Sequence, residues 1–115
     1  MKVSHFSLVL AVLLFVPALL TAQEVFPRMT SVEPATAKGG EVVTAAGENL
    51  GKATVAEVYL TDGKNDVKVE ITEQDATAIK VKIPGSVKPG RFSLMVMTTS
   101  KPPRLIEQPV RVTVQ

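Results

Sequence analysis

Few residues in this 115-residue chain could do chemistry. Its single histidine is His5, and it has no cysteine. Ser–His and Cys–His systems need an imidazole beside the attacking atom, and transition-metal sites draw on imidazole and thiolate ligands. His5 lies within residues 1–22, expected to be a removable targeting segment, so what remains has the parts for neither chemistry. Carboxylates remain: Asp62 and Asp66 flank a turn, and Glu73 and Asp75 share a polar stretch. A calcium site needs several oxygens converging on one point, and neither loop has the dense acidic spacing of an EF-hand. Carboxylates on surface turns also lack the cleft in which a glycosidase acid–base pair works. They read as solvated turn residues, and no catalytic residue, metal ligand or cofactor is expected.

Binding chemistry is almost as sparse. Beyond the N-terminal run the only aromatic residues are Phe26, Tyr59 and Phe92. A glycan-binding sandwich presents stacking platforms, and one tyrosine is a thin one; a small glycan-binding protein of the envelope or secreted fraction therefore stands as the alternative reading. Lys and Arg number 13 against 11 Asp and Glu, and no basic stripe with interleaved aromatics appears. A nucleic-acid groove is not expected.

The elements that would position these residues begin after a targeting segment. Lys2 supplies a positive start, and Phe6 to Leu20 is almost wholly apolar, broken only by Ser7 and Pro17. Such a run is shorter than the ~20 residues a membrane-spanning helix needs, and Thr21-Ala22 offers small residues for cleavage. Residues 1–22 are expected to be a cleavable signal peptide, with retention as an anchor the alternative. Residues 23–115 then form one domain, secreted or periplasmic, with no membrane contact after cleavage. Without cysteine it has neither disulfides nor a lipid-modified thiol, so sheet packing alone must hold it.

The rest of the chain reads as short strands at regular intervals. Met29 to Val32 alternates and is closed by Pro34, which suits a sheet edge or strand end. Gly39-Gly40 permits a tight reversal, and Val43 and Ala45 follow at period two. Gly47, Asn49 and Gly51 form a turn with Leu50 tucked inward. Ala56, Val58 and Leu60 alternate with polar partners, as do Val67, Val69 and Ile71. Between them lies the turn Asp62-Gly63-Lys64-Asn65, and Thr72 to Ala76 reads as a polar link. Ile79, Val81 and Ile83 alternate with Lys80 and Lys82. Phe92, Leu94 and Val96 point inward, Lys101 to Arg104 links onward, and Val110, Val112 and Val114 close the series. No repeat and no amphipathic helix appears, and the pattern is that of an all-β sandwich.

The spacing resembles the IPT/TIG family of immunoglobulin-like modules. The family's Ser-Val-x-Pro strand, Gly-Gly turn, Val-Thr strand and Gly-x-Asn-Leu-Gly turn match Ser31 to Pro34, Gly39-Gly40, Val43-Thr44 and Gly47 to Gly51. Ile79 to Pro84 and Pro89 to Phe92 fit its later pattern. Two positions depart. Ala37 stands where the family often has glycine, implying a different route through the crossing, and Ala45-Ala46 replaces a bulkier pair, implying a thinner core. The resemblance implies an immunoglobulin-like sandwich of about seven strands and a non-catalytic module for protein–protein interaction or structural support. In the usual arrangement of such a sandwich, Tyr59, Met95, Met97 and Arg111 share the outer face of one sheet. Methionine gives an adaptable apolar surface, and Tyr and Arg recur at contact hot spots. These four are the candidate partner-binding residues, for another envelope or secreted protein.

Overall fold

A computed structural model describes residues 25–115 of the chain. The signal peptide expected at residues 1–22, with cleavage after Ala22, lies outside the described residues. Eight strands follow one another: β1 (Arg28–Glu33), β2 (Thr36–Ala37), β3 (Val42–Glu48), β4 (Val55–Thr61), β5 (Asp66–Gln74), β6 (Ala78–Lys82), β7 (Gly90–Thr98) and β8 (Leu105–Val114). No helix among the described residues is long and apolar enough to cross a membrane.

Hydrogen bonding links the strands in the order β1-β3-β6-β5-β4-β7-β8-β2. The order is continuous because β5 serves both halves of the sandwich. Its first residues pair with β4, from Asp66 opposite Thr61 to Val69 opposite Val58. Beyond Val69 it pairs with β6, from Glu70 opposite Lys82 to Gln74 opposite Ile79. All pairings are antiparallel except β2 on β8.

Period-two alternation builds the core. Val43 and Ala45, Ile79 and Val81 enter from the β1-β3-β6 half; Val58 and Leu60, Leu94 and Val96, Val110 and Val112 enter from the other. Lys80 and Lys82 alternate out to solvent. Ala45, fully buried, lies between Val32 and Ile79, and Ala37 is buried in β2 opposite Val114. That two-residue strand, in a stretch expected to be only a crossing, raises the strand number to eight.

The Gly47 to Gly51 turn shows why its residue types recur at that spacing. A Cβ on Gly47 would sit 2.0 Å from the Arg28 carbonyl oxygen, so β1 can approach β3 only against glycine. Asn49 takes the left-handed conformation (φ 57°), and its Nδ2 donates to the Phe26 carbonyl at 3.1 Å. Leu50, next in the turn, is fully buried.

Three details differ from the sequence reading. Ala56 is exposed, not inward, because a bulge between Val55 and Glu57 delivers Val55 to the core instead. Thr72 to Gln74 is strand, not link: their backbone groups pair with β6 across a second irregularity between Ile71 and Glu73. β8 starts at Leu105, ahead of its valine alternation. Gln108 is in phase with those valines and is 4% exposed. Its Oε1 accepts from the Met29 amide at 2.7 Å, and its Nε2 lies 3.4 Å from the Pro27 carbonyl oxygen. One amide side chain thus ties β1 to β8, satisfying backbone groups that burial would otherwise orphan.

Candidate functional site

The outer face of β4, β7 and β8 gathers the side chains that do not fit a plain wet surface. Cross-strand register sets them in rows. One row runs Lys68, Tyr59, Met95, Glu107 from β5 to β8; the next runs Asp66, Thr61, Ser93, Arg111. A third, shorter row is Glu57, Met97, Leu105. Tyr59 and Met95 are therefore directly opposed, Met97 lies one row along, and Arg111 sits across from Ser93 in the neighbouring row. The four residues singled out from sequence fall in adjacent rows of one face.

Their exposures are unequal. Met95 is outside the core cluster yet only 9% exposed, flanked by Tyr59 and Glu107. Tyr59 and Met97 are half-buried and Arg111 is exposed. The openly apolar member is Leu105, 57% exposed, which the sequence reading leaves off the face because its last alternation begins at Val110. Its signal was present: Leu105 and Glu107 are out of phase with Gln108 and the buried valines.

Electrostatics hold part of the face in place. The Tyr59 hydroxyl donates to Glu57 Oε1, and Lys68 Nζ lies 2.9 Å from Glu57 Oε2. The Tyr59 hydroxyl, followed by Lys68, holds the Glu57 carboxyl below its ordinary pKa. The Glu57 carboxylate in turn pushes the Tyr59 hydroxyl up. Beside this group lies a shallow depression of about 320 Å³, lined by Thr61, Asp62, Ser93, Arg91, Glu107 and Arg111. At its rim Asp62 Oδ1 accepts from the Lys64 and Asn65 amides at 2.9 and 2.7 Å. Those bonds, Asn65 first, hold the Asp62 carboxyl below its usual value.

Two more of the acids noted from sequence are taken up locally. Asp75 Oδ1 accepts from the Thr77 and Ala78 amides at 2.8 and 2.9 Å, and Glu73 pairs with Lys80 at 3.1 Å. Among the described residues, no three His, Cys, Asp or Glu side chains gather where they could hold a metal ion. A second hollow, of about 210 Å³, lies at one end of the sandwich between Phe26, Thr54, Thr98 and Arg104. There the Arg104 guanidinium stands 5.7 Å from the Phe26 ring centre.

Solved structures share this fold. A Bacteroides thetaiotaomicron protein of unknown function superposes with a TM-score of 0.67 at 16% identity, over 82% of this chain and 23% of its own. A Bacteroides vulgatus protein, whose name gives bacterial DNA binding as a conjectured role, has a TM-score of 0.65 at 18% identity, over 84% of this chain and 50% of its own. SGBP-B of the Bacteroides ovatus mixed-linkage glucan utilization locus, solved with a mixed-linkage heptasaccharide, has a TM-score of 0.50 at 18% identity, over 76% of this chain and 23% of its own. The chain thus spans half or less of each of these proteins. No curated protein sequence matches it. Residues 27–114, nearly all of the sandwich, match the sequence model of the IPT/TIG domain, and the chain belongs to that family.

Proposed function

We propose that this chain is an exported, non-catalytic immunoglobulin-like module that works by contact with another protein of the envelope or secreted fraction. The observation that carries this reading is the β4-β7-β8 outer face, where Tyr59, Met95, Met97 and Leu105 are ringed by Lys68, Glu57, Glu107 and Arg111. An apolar centre with a charged rim is the anatomy of a modest interface. Export rests on Lys2 and the Phe6 to Leu20 run; a secreted or periplasmic location follows from it. The absence of His and Cys after residue 22 supports a binding role over a catalytic one.

The test is a photo-crosslinking residue at position 97, which is half-buried on this face, with position 80 on the opposite face as control. Crosslinks captured in the native envelope from position 97 and not from position 80 are expected. Equal capture from both positions, or none from position 97, overturns the reading. A glycan role is the second reading, favoured by the depression beside Tyr59, whose Thr, Ser, Arg and carboxylate lining suits a hydroxyl-rich ligand. The chain has one tyrosine and no tryptophan, so Tyr59 fluorescence during oligosaccharide titration reports on that face directly.

A further inference from the structure

The charges along the two margins of this face are arranged in opposite order. On the β5 margin Asp66 and Lys68 mark successive rows; on the β8 margin the same rows end in Arg111 and Glu107. Each row therefore runs from one sign to the other: Lys68 to Glu107, and Asp66 to Arg111. All four residues are exposed. A two-fold axis lying in the plane of contact and parallel to the strands exchanges the two ends of every row. It sets Lys68 of one copy over Glu107 of the other, and Asp66 over Arg111, each contact occurring twice. It also sets Tyr59 over Met95 at the centre, where sulfur–aromatic contact is favourable. Glu57 falls over Met97, but its carboxylate is already met by the Tyr59 hydroxyl and by Lys68.

We infer that the occupant of this face is a second copy of the same chain, packed sheet to sheet in a symmetric dimer. Resting on the interaction reading above, this inference names the partner. A two-fold contact demands a self-complementary patch, and two twisted sheets stack with strands nearly aligned, which is the arrangement this axis produces. Four strands ~4.8 Å apart, over about six residues of ~3.4 Å each, give a footprint of roughly 400 Å², about half of the ~800 Å² per partner of a stable complex. The dimer is accordingly weak and concentration-dependent.

The test uses protein expressed from the full sequence and purified in the form that accumulates. Sedimentation over a concentration series should show reversible dimerisation, weakened by added salt. Lys68→Glu makes both margin positions of its row acidic, and Glu107→Lys makes both basic, so each variant alone should lose association by on the order of ten-fold or more. Mixed together, the two variants should dimerise as well as the parent or better, because each opposes the other's sign at both contacts. Lys68→Glu also removes the intrachain Lys68–Glu57 pair, so its thermal midpoint is read beside that of Glu107→Lys, and recovery of association in the mixture separates lost contact from lost stability. A parent that stays monomeric at the highest soluble concentration overturns the inference. So do single variants that associate like the parent, or a mixture that fails to recover. Crosslinks from position 97 to a foreign protein, with no self-crosslink, overturn it too while leaving the interaction reading standing.

Discussion

The two outer faces of the sandwich are built from the same alternating strands and end in different surfaces. On the β1-β3-β6 face, one row reads Glu33, Thr44, Lys80, Glu73 and another Val42, Lys82, Glu70. Val42, 42% exposed, is its open apolar residue; the other side chains in these rows are polar or charged, and Lys80 is already paired with Glu73. On the β4-β7-β8 face the same positions hold Tyr59, Met95, Met97 and Leu105. One antiparallel sheet face can be left to water at no cost if it is polar. A second face that sets an aromatic, two methionines and a leucine together meets no such need of the fold, and the proposed contact rests on that asymmetry.

The deepest way to break the comparison is beneath the polar face. Val81 is fully buried between two exposed lysines. Val81→Asp puts an unpaired charge into the core at a cost of several kcal/mol, a large share of the ~5–15 kcal/mol that holds a domain together. The variant should not fold, whereas Lys82→Ser should change stability by less than ~0.5 kcal/mol. Circular dichroism and denaturant melts read both. A folded Val81→Asp protein would invert the assignment of inner and outer faces.

A smaller loss is expected where the halves are tied. Gln108→Ala leaves the Met29 amide and the Pro27 carbonyl without their side-chain partner. Orphaning buried backbone groups costs about 1–3 kcal/mol, measurable as a shifted denaturant midpoint. Hydrogen exchange at Met29 should accelerate in step. An unchanged midpoint would mean that water replaces the amide, and that the halves cohere through apolar packing alone.

How much was legible in the sequence follows from the range of each signal. The Gly47 to Gly51 turn was readable because its causes are local: a close approach that excludes Cβ at Gly47 and a left-handed Asn49. The facing of Ile79, Val81, Leu94 and Val96 was readable because alternation is local too. The bulge at Val55 was not, since a register shift depends on the partner strand, and Ala56 consequently sits outside. Gln108 carried a phase signal, but the Met29 amide and Pro27 carbonyl that it ties lie 79 and 81 positions away. For the candidate site, the family resemblance implied one sheet for the strands of Tyr59, Met95 and Met97, and parity turned all three outward. It could not give the cover on Met95, which depends on neighbours from two other strands.

That cover separates two methionines that sequence alone treats alike. Replacing both by aspartate would be harmless if both were exposed. With Met95 at 9% exposure, Met95→Asp should instead destabilise the domain by roughly 1–3 kcal/mol. Met97→Asp, on a half-buried residue at the open edge, should leave the thermal midpoint nearly unchanged and reduce contact at this face. Equal destabilisation by both would make the outer face an extension of the core. Equal tolerance would make it a free surface throughout.

The finest distinction is titratable, because the β4-β7-β8 face holds a phenol–carboxylate–ammonium group that the polar face lacks. Glu57 has a depressed pKa in the folded chain. Its ionisation therefore contributes stability that is present above the unfolded value near 4.5 and is lost as pH falls through the lower folded value. Tyr59 is raised above its ordinary value of 10.0. The protonated hydroxyl contributes stability that is complete below 10.0 and disappears as pH rises through the folded value. Both groups are solvent-accessible, so each effect is slight. The spectroscopic readout is nevertheless clean, since the chain has a single tyrosine and no tryptophan. Tyrosinate absorbance should titrate above 10.0 in the parent and move back toward that value in Glu57→Gln, where a neutral amide replaces the carboxylate. A midpoint unmoved by Glu57→Gln would show that the hydroxyl is not held by Glu57. Tyr59 would then be free to hydrogen-bond across the interface, leaving the two outer faces to differ in apolar area alone.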